Sequence, residues 1–278
     1  MANPSDESPP VKAVKAWLEK QGYPLEMEVA HTFIASGLGV RQGWYFEDPE
    51  DGTPREIDIL AHVEMETGHP TMLQAVIECK WSQSPFVVFS YPDRSPASPS
   101  PQFMPASPVG KAVLKRLVDL GETLTLPMFG PISPLGYAVK QVPLSFLHAD
   151  QRERAPDKHV DSAFEASIKL AKATFAIVDY YTHRHPTVKK AGDTIGSYTL
   201  AYIALPLLVV DAPLLDAHLD ETTGIDVREV QEAFVNWSYP LLGTFPIRVC
   251  RREALGSVAH AISQSAARLA ELALHPAQ

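Results

Sequence analysis

Val76-Ile77-Glu78-Cys79-Lys80-Trp81 is an apolar run broken by one carboxylate and one ammonium, two residues apart. Side chains alternate faces along a strand. Glu78 and Lys80 therefore project from one side, and Ile77, Cys79 and Trp81 from the other. A charged pair inside a buried strand is costly unless it is paired or bound to a metal. Upstream, Ile57-Asp58-Ile59-Leu60 repeats the anomaly, with one acid set in an apolar run. These two interruptions constrain the rest of the chain.

The elements before them are legible from periodicity. Residues 11–21 are expected as a short helix, with Val14, Trp17 and Leu18 at helical spacing and Gly22 after them. Pro24 suits the first turn of a second helix that runs to about Ser36 and is closed by Gly37 and Gly39. Leu25, Val29, Ala30 and Phe33 form its apolar stripe. Glu26 falls inside that stripe and Glu28 outside it. Glu26 also lies near the helix start, where the macrodipole alone favours an acid. A helical phase wrong by a residue or two would put Glu28 in its place.

Residues 40–46, 55–63 and 73–81 read as strands joined by short turns, an antiparallel meander, and 86–90 as a continuation of the third. Residues 92–108 hold six prolines and four serines, which suits an exposed loop. A short helix is expected at 109–120, a strand at 137–142 and a long helix at 160–183. An apolar interior strand follows at 198–210, then strands at 213–219 and 246–250 and a terminal helix at 252–274. Residues 1–10 are expected to be disordered and 11–278 to form one α/β domain.

If the strands pair through the turn near Gly68, Asp58 and Glu78 become neighbours. Two adjacent carboxylates raise each other's pKa unless a cation sits between them. Mg²⁺, a hard ion with oxygen ligands, is the natural guest. It polarises a phosphoryl oxygen and lowers the pKa of a bound water. A lysine beside it can orient that water or steady the charge developing at phosphorus. The plainer readings are a cross-strand ion pair on a solvated face for Glu78 and Lys80, and an edge-strand charge for Asp58.

A helix bearing Glu26, a strand bearing Ile57-Asp58 and a strand bearing Glu78-Cys79-Lys80 together resemble the PD-(D/E)XK nuclease superfamily. The resemblance implies a restriction-endonuclease-like αβββαβ core, with a mixed central sheet flanked by helices and with additional C-terminal strands and a helix. It implies Asp58 and Glu78 as metal ligands, helped by the Cys79 backbone carbonyl, with Glu26 completing the shell through water and Lys80 serving the attacking water. Mg²⁺ is the implied cofactor, with Mn²⁺ as substitute. The implied reaction is hydrolysis of phosphodiester bonds in nucleic acid, DNA ahead of RNA. Ile57 replaces the proline that precedes the aspartate in the family pattern. The superfamily also includes members that have lost activity, so a non-catalytic nucleic-acid or protein-binding module, as in a defence or toxin system, is the competing expectation.

Composition narrows the alternatives. The net charge of −9 over 278 residues argues against an extended basic surface. Two cysteines, Cys79 and Cys250, are too few for a disulfide framework or a cysteine zinc site. The longest apolar run, Leu200–Val210, is too short to span a bilayer. A soluble cytoplasmic protein without a membrane partner is the expectation. A homodimer suits an enzyme cutting both strands, although no interface signature stands out. No nucleophile elbow and no Gly-rich phosphate loop is present. His31, His62 and His69 are read as ordinary surface or core residues, and His183 and His185 as a cationic helix end. Lys111, Lys115 and Arg116 are read as a solvated helix face, or else as phosphate contacts.

Overall fold

A computed structural model describes residues 8–20, 22–65, 70–91, 100–121, 126–130, 134–143, 161–188, 198–220 and 222–273. Two helices open the chain, α1 (Pro9–Lys20) and α2 (Tyr23–Ala35). The second follows Gly22 at φ +82° and carries Pro24 in its first turn. It ends where Gly37 turns left-handed at φ +83°. There the Gly37 and Leu38 amides donate to the Ile34 and Phe33 carbonyls, which closes the last turn.

The expected meander follows as β1 (Gly39–Glu47), β2 (Pro54–Met65) and β3 (Thr71–Trp81), each pair antiparallel. The later elements are β4 (Phe86–Ser90), α3 (Pro108–Asp119), β5 (Leu135–Gln141) and α4 (Ser162–Asp179). After these come β6 (Thr187–Val188), β7 (Tyr198–Thr199), β8 (Ala201–Asp211), β9 (Leu214–Asp220), β10 (Gly224–Glu229), β11 (Glu232–Tyr239), β12 (Gly243–Arg251) and α5 (Leu255–Ala273).

Ten strands form one mixed sheet in the order β1-β2-β3-β8-β12-β11-β5-β4-β9-β10. β3 runs parallel to β8 along its whole length, from Thr71 opposite Ala201 to Trp81 opposite Asp211. Parallel pairing needs a long crossover, which the segment containing α3, β5 and α4 supplies. Helices cover both faces, so β8 is buried on both and reads as a continuous apolar run. Ile203, Leu205, Leu207 and Val209 join the core formed with α2, α3 and α5. Tyr202, Ala204, Leu208 and Val210 join the core under α4. Among the described residues no helix is long and apolar enough to cross a membrane.

Four expectations need correction. β4 does not continue β3; it lies far along the sheet between β5 and β9, because Ser82 to Pro85 carry the chain away. The proline-rich segment is not all exposed loop. Its second half packs, with Met104 fully buried, Ala106 bridged to Ile203 and Ser107 capping α3 by accepting from the Gly110 amide. Its first half, 92–99, lies outside the described residues. α1 begins at Pro9, inside the stretch expected to be disordered; residues 1–7 of that stretch, and His69 with its turn, lie outside the described residues. β10 and β11 were not expected. β10 alternates Ile225 and Val227 with Asp226 and Arg228 over only six residues, and Asn236 and Ser238 interrupt the apolar residues of β11.

Candidate functional site

The β2–β3 ladder runs from Met65 opposite Thr71 to Ile59 opposite Ile77 and stops one step short of Asp58 and Glu78. Residues two apart on a regular strand face the same side. Ile57 and Ile59 nevertheless join different cores, Ile57 the one under α4 and Ile59 the opposite one. β2 therefore turns over at Asp58, beside Gly43 of β1 at φ +61°. The Asp58 carboxylate takes the place of a ladder partner, Oδ2 accepting from the Cys79 amide at 2.7 Å. The sheet thus opens where the two acids sit, and they stay side by side.

Glu78 has no exposed side-chain surface. Lys80 Nζ stands 2.8 Å from its Oε1, and Lys169 Nζ, reaching down from α4, stands 2.7 Å from its Oε2. Lys169 also lies 3.1 Å from Asp58 Oδ1. One ammonium therefore bridges the two acids. Among the described residues neither Glu78 oxygen receives a well-directed hydrogen bond, and Lys80 and Lys169 are the cations that face them. Burial pushes the Glu78 carboxyl up, and the neighbouring Asp58 charge pushes it further. Burial by itself would lower the Lys169 pKa, but Glu78 and Asp58 raise it above the ordinary lysine value.

Glu26 faces this pair from α2. Its carboxyl is pushed up to about 7, first by burial and then by the Asp58 and Glu78 charges. Glu28, the substitute that an altered helical phase would select, turns away and pairs with Arg252, Oε2 to Nη2 at 2.5 Å. Cys79 lies in the core of the opposite face, its thiol pushed well up by burial. Asp58 and Glu78 thus share one lysine, Glu26 lies within electrostatic reach of both, and Lys80 stands at the rim.

The site opens into a cleft of about 760 Å³ between α4 and the ends of β2 and β3. Arg55, Lys80, Lys169 and Lys172 supply its cations, and Glu56, Glu78 and Glu165 its acids. Lys172 is held by Asp48 at 2.9 Å and by Glu50 at 2.8 Å, and Arg55 by Asp48.

Lys169 is the residue that sequence reasoning missed. Glu165, Lys169 and Lys172 recur at helical spacing in an otherwise apolar helix. That polar stripe was visible in the sequence, but the part of the sheet it would face was not. The other candidates lie elsewhere. His31 is exposed on α2, His62 lines a separate cleft with Tyr180 and Tyr181, His183 pairs with Asp179 and His185 lies against the Tyr180 ring. Lys111 donates to the Gln102 and Met104 carbonyls, pinning the proline-rich segment. Lys115 pairs with Asp119.

Among the described residues no three carboxylate, imidazole or thiol groups gather into a metal-binding cluster. The donor set nonetheless suits a hard cation. Asp58 and Glu78 converge on one positive charge, and both buried oxygens of Glu78 lack a directed hydrogen bond. Two carboxylates with water and substrate oxygens around them are an ordinary Mg²⁺ shell. Comparison of the chain with protein-family models, with curated proteins and with solved structures returned no match.

Proposed function

We propose that this chain is a Mg²⁺-dependent nuclease on a restriction-endonuclease-like core, hydrolysing phosphodiester bonds in nucleic acid, DNA in the first place. The observation that carries the proposal is the convergence of Asp58 and Glu78 on a single cation at the point where β2 and β3 part. Asp58, Glu78 and the Cys79 carbonyl would hold the ion, with Glu26 completing its shell through water. A bound divalent ion supplies Lewis-acid polarisation of a phosphoryl oxygen and a water of lowered pKa.

The protein's own groups do the rest. Lys80, anchored on Glu78 and partly open to the cleft, orients a water and donates to the oxygen on which negative charge develops. Lys169 is tethered to both acids only through its ammonium. With a divalent ion on the acids, its ammonium would be released toward the cleft that it already lines, where it could pair with a phosphate. Lys172 and Arg55, held by Asp48, put further positive charge along the cleft wall of a chain that is acidic overall.

The ion-pair network favours a second reading. Lys169 and Lys80 together already balance the two acids, as in a non-catalytic binding module that has no use for a metal. A cleavage assay separates the two. Purified wild type with Mg²⁺ or Mn²⁺ should cut single- or double-stranded DNA or RNA, and Lys80→Ala should not. A wild type that cuts none of these would favour the binding module, and a variant that cuts equally well would show that the cleavage does not come from this site.

A further inference from the structure

At the end of the sheet remote from the acids, β10 is the edge strand, and among the described residues it pairs with β9 alone. The Val230 amide donates to the Leu214 carbonyl, the next step of the β9–β10 ladder. Backbone groups of successive residues point to opposite edges. Gly224, Asp226 and Arg228 therefore serve β9, and Ile225, Val227 and Glu229 aim their N–H and C=O groups outward. Natural edges are commonly blunted by proline or lysine, and β10 carries neither.

Its outward face is also apolar. Ile225 is 78% exposed and Val227 51%, and Leu219, paired with Ile225, is 64% exposed. Phe89, Tyr91, Tyr137 and Leu219 line an open basin of about 510 Å³ that continues from this edge. Among the described residues nothing covers it.

The strand's own sequence names the occupant. An antiparallel pairing of β10 with a second copy that matches outward groups with outward groups has three registers of substantial overlap. They are centred on Asp226, on Val227 or on Arg228. The first sets Asp226 against its own copy, and the third sets Arg228 against its own copy. Like charges directly opposite are destabilising. The register centred on Val227 instead places Asp226 opposite Arg228 of the second copy, twice by symmetry. It also places Val227 against Val227 and forms about six backbone hydrogen bonds. Arg228 keeps its Nε on Asp216 at 3.0 Å and offers its remaining nitrogens across the seam. An interface that is its own complement about a two-fold axis is what a closed dimer needs.

We infer that β10 is the seam of a homodimer in which two sheets join edge to edge about Val227. The test uses the full chain. Val227→Cys sets two thiols opposite each other at about 5.5 Å between Cα atoms, within disulfide reach, and the native cysteines are buried. Mild oxidation should convert Val227→Cys into a covalent dimer, with at least tenfold less dimer from Asp226→Cys and Arg228→Cys. Asp226→Cys and Val227→Cys should melt close to wild type, whereas Arg228→Cys, which also takes the Nε donor from buried Asp216, should melt lower, so its cross-linking is read at a temperature where it is folded. Sedimentation equilibrium should show wild type at twice the chain mass, and Asp226→Arg should raise the dimer dissociation constant at least tenfold. Failure of Val227→Cys to cross-link, or preferential cross-linking at either neighbour, overturns the assignment. A strictly monomeric wild type that Val227→Cys oxidation leaves monomeric would show that the edge takes a different protein's strand or none.

Discussion

Lys169 Nζ stands 2.7 Å from Glu78 Oε2, so a helix side chain pairs with a fully buried acid of the sheet. The same ammonium is 3.1 Å from Asp58. A group in that position stabilises the ion-free protein and competes with any cation entering from solvent.

Lys169→Met removes the competitor and leaves buried Glu78 and half-buried Asp58 without their bridge. The ion-free variant should lose about 2 kcal/mol of stability. That is below the cost of breaking a fully buried pair, because the ammonium is partly solvated. The loss corresponds to roughly 3–4 °C in a chain of this size. Mn²⁺ affinity should rise roughly tenfold, the equivalent of one pKa unit of interaction. Added Mn²⁺ should then raise the variant's melting temperature more than that of wild type. Calorimetry and thermal melts with and without chelator read both effects.

Lys80→Ala should leave Mn²⁺ binding intact and slow cleavage roughly 10²–10³-fold, the usual cost of losing one donor aimed at developing charge. Metal titration and single-turnover cleavage on the same preparation separate the two quantities. A parallel loss of metal binding would show Lys80 acting through the fold of the site rather than on the substrate.

Glu26 and Glu28 are two residues apart on α2 but have opposite surroundings. Glu26→Gln should weaken Mn²⁺ binding, whereas Glu28→Gln, which only loosens the bond to Arg252, should leave binding and cleavage at wild-type levels. Equal effects of the two substitutions in calorimetry would contradict the placement of Glu26 in the site.

Asp48 fastens the β1–β2 turn to α4. It accepts from the Glu50 amide at 3.0 Å, from Lys172 at 2.9 Å and from Arg55. Burial tends to raise its pKa, but these bonds outweigh it and hold the carboxyl below the usual value. For an acid depressed in the folded state, the stabilisation is complete above the unfolded pKa. It disappears as pH falls through the folded one. Stability should therefore drop below about pH 4 more steeply in wild type than in Asp48→Asn. Asp48→Ala should cost about 2 kcal/mol at neutral pH by removing the acceptor shared by Lys172, Arg55 and the Glu50 amide, with Glu50 still facing Lys172. Urea unfolding across pH measures both.

Local chemistry made the first third of the chain readable. Pro24, Gly37 and the apolar stripe at Leu25, Val29 and Phe33 delimit α2, and period-two patterning with short turns marks β1 to β3. The helical phase of that stripe also separates Glu26 from Glu28. What escaped depends on distant partners. Phe86–Ser90 looks like a continuation of β3 because both are apolar, and only the three-dimensional path sends it to β5 and β9. Met104 and Ala106 pack against the protein although their neighbours are prolines and serines. Lys169 lies 91 residues after Glu78, and no spacing rule links a helix charge to a strand charge at that distance. The acids of the site were local anomalies in apolar runs; the cation that joins them was not.

Calorimetric titration of Mn²⁺ into the chelator-treated full chain tests the central claim most directly. The account predicts saturable binding in wild type that is lost in Asp58→Ala, with both proteins folded by circular dichroism. An absence of Mn²⁺ binding in wild type, or binding undiminished in Asp58→Ala, would contradict it.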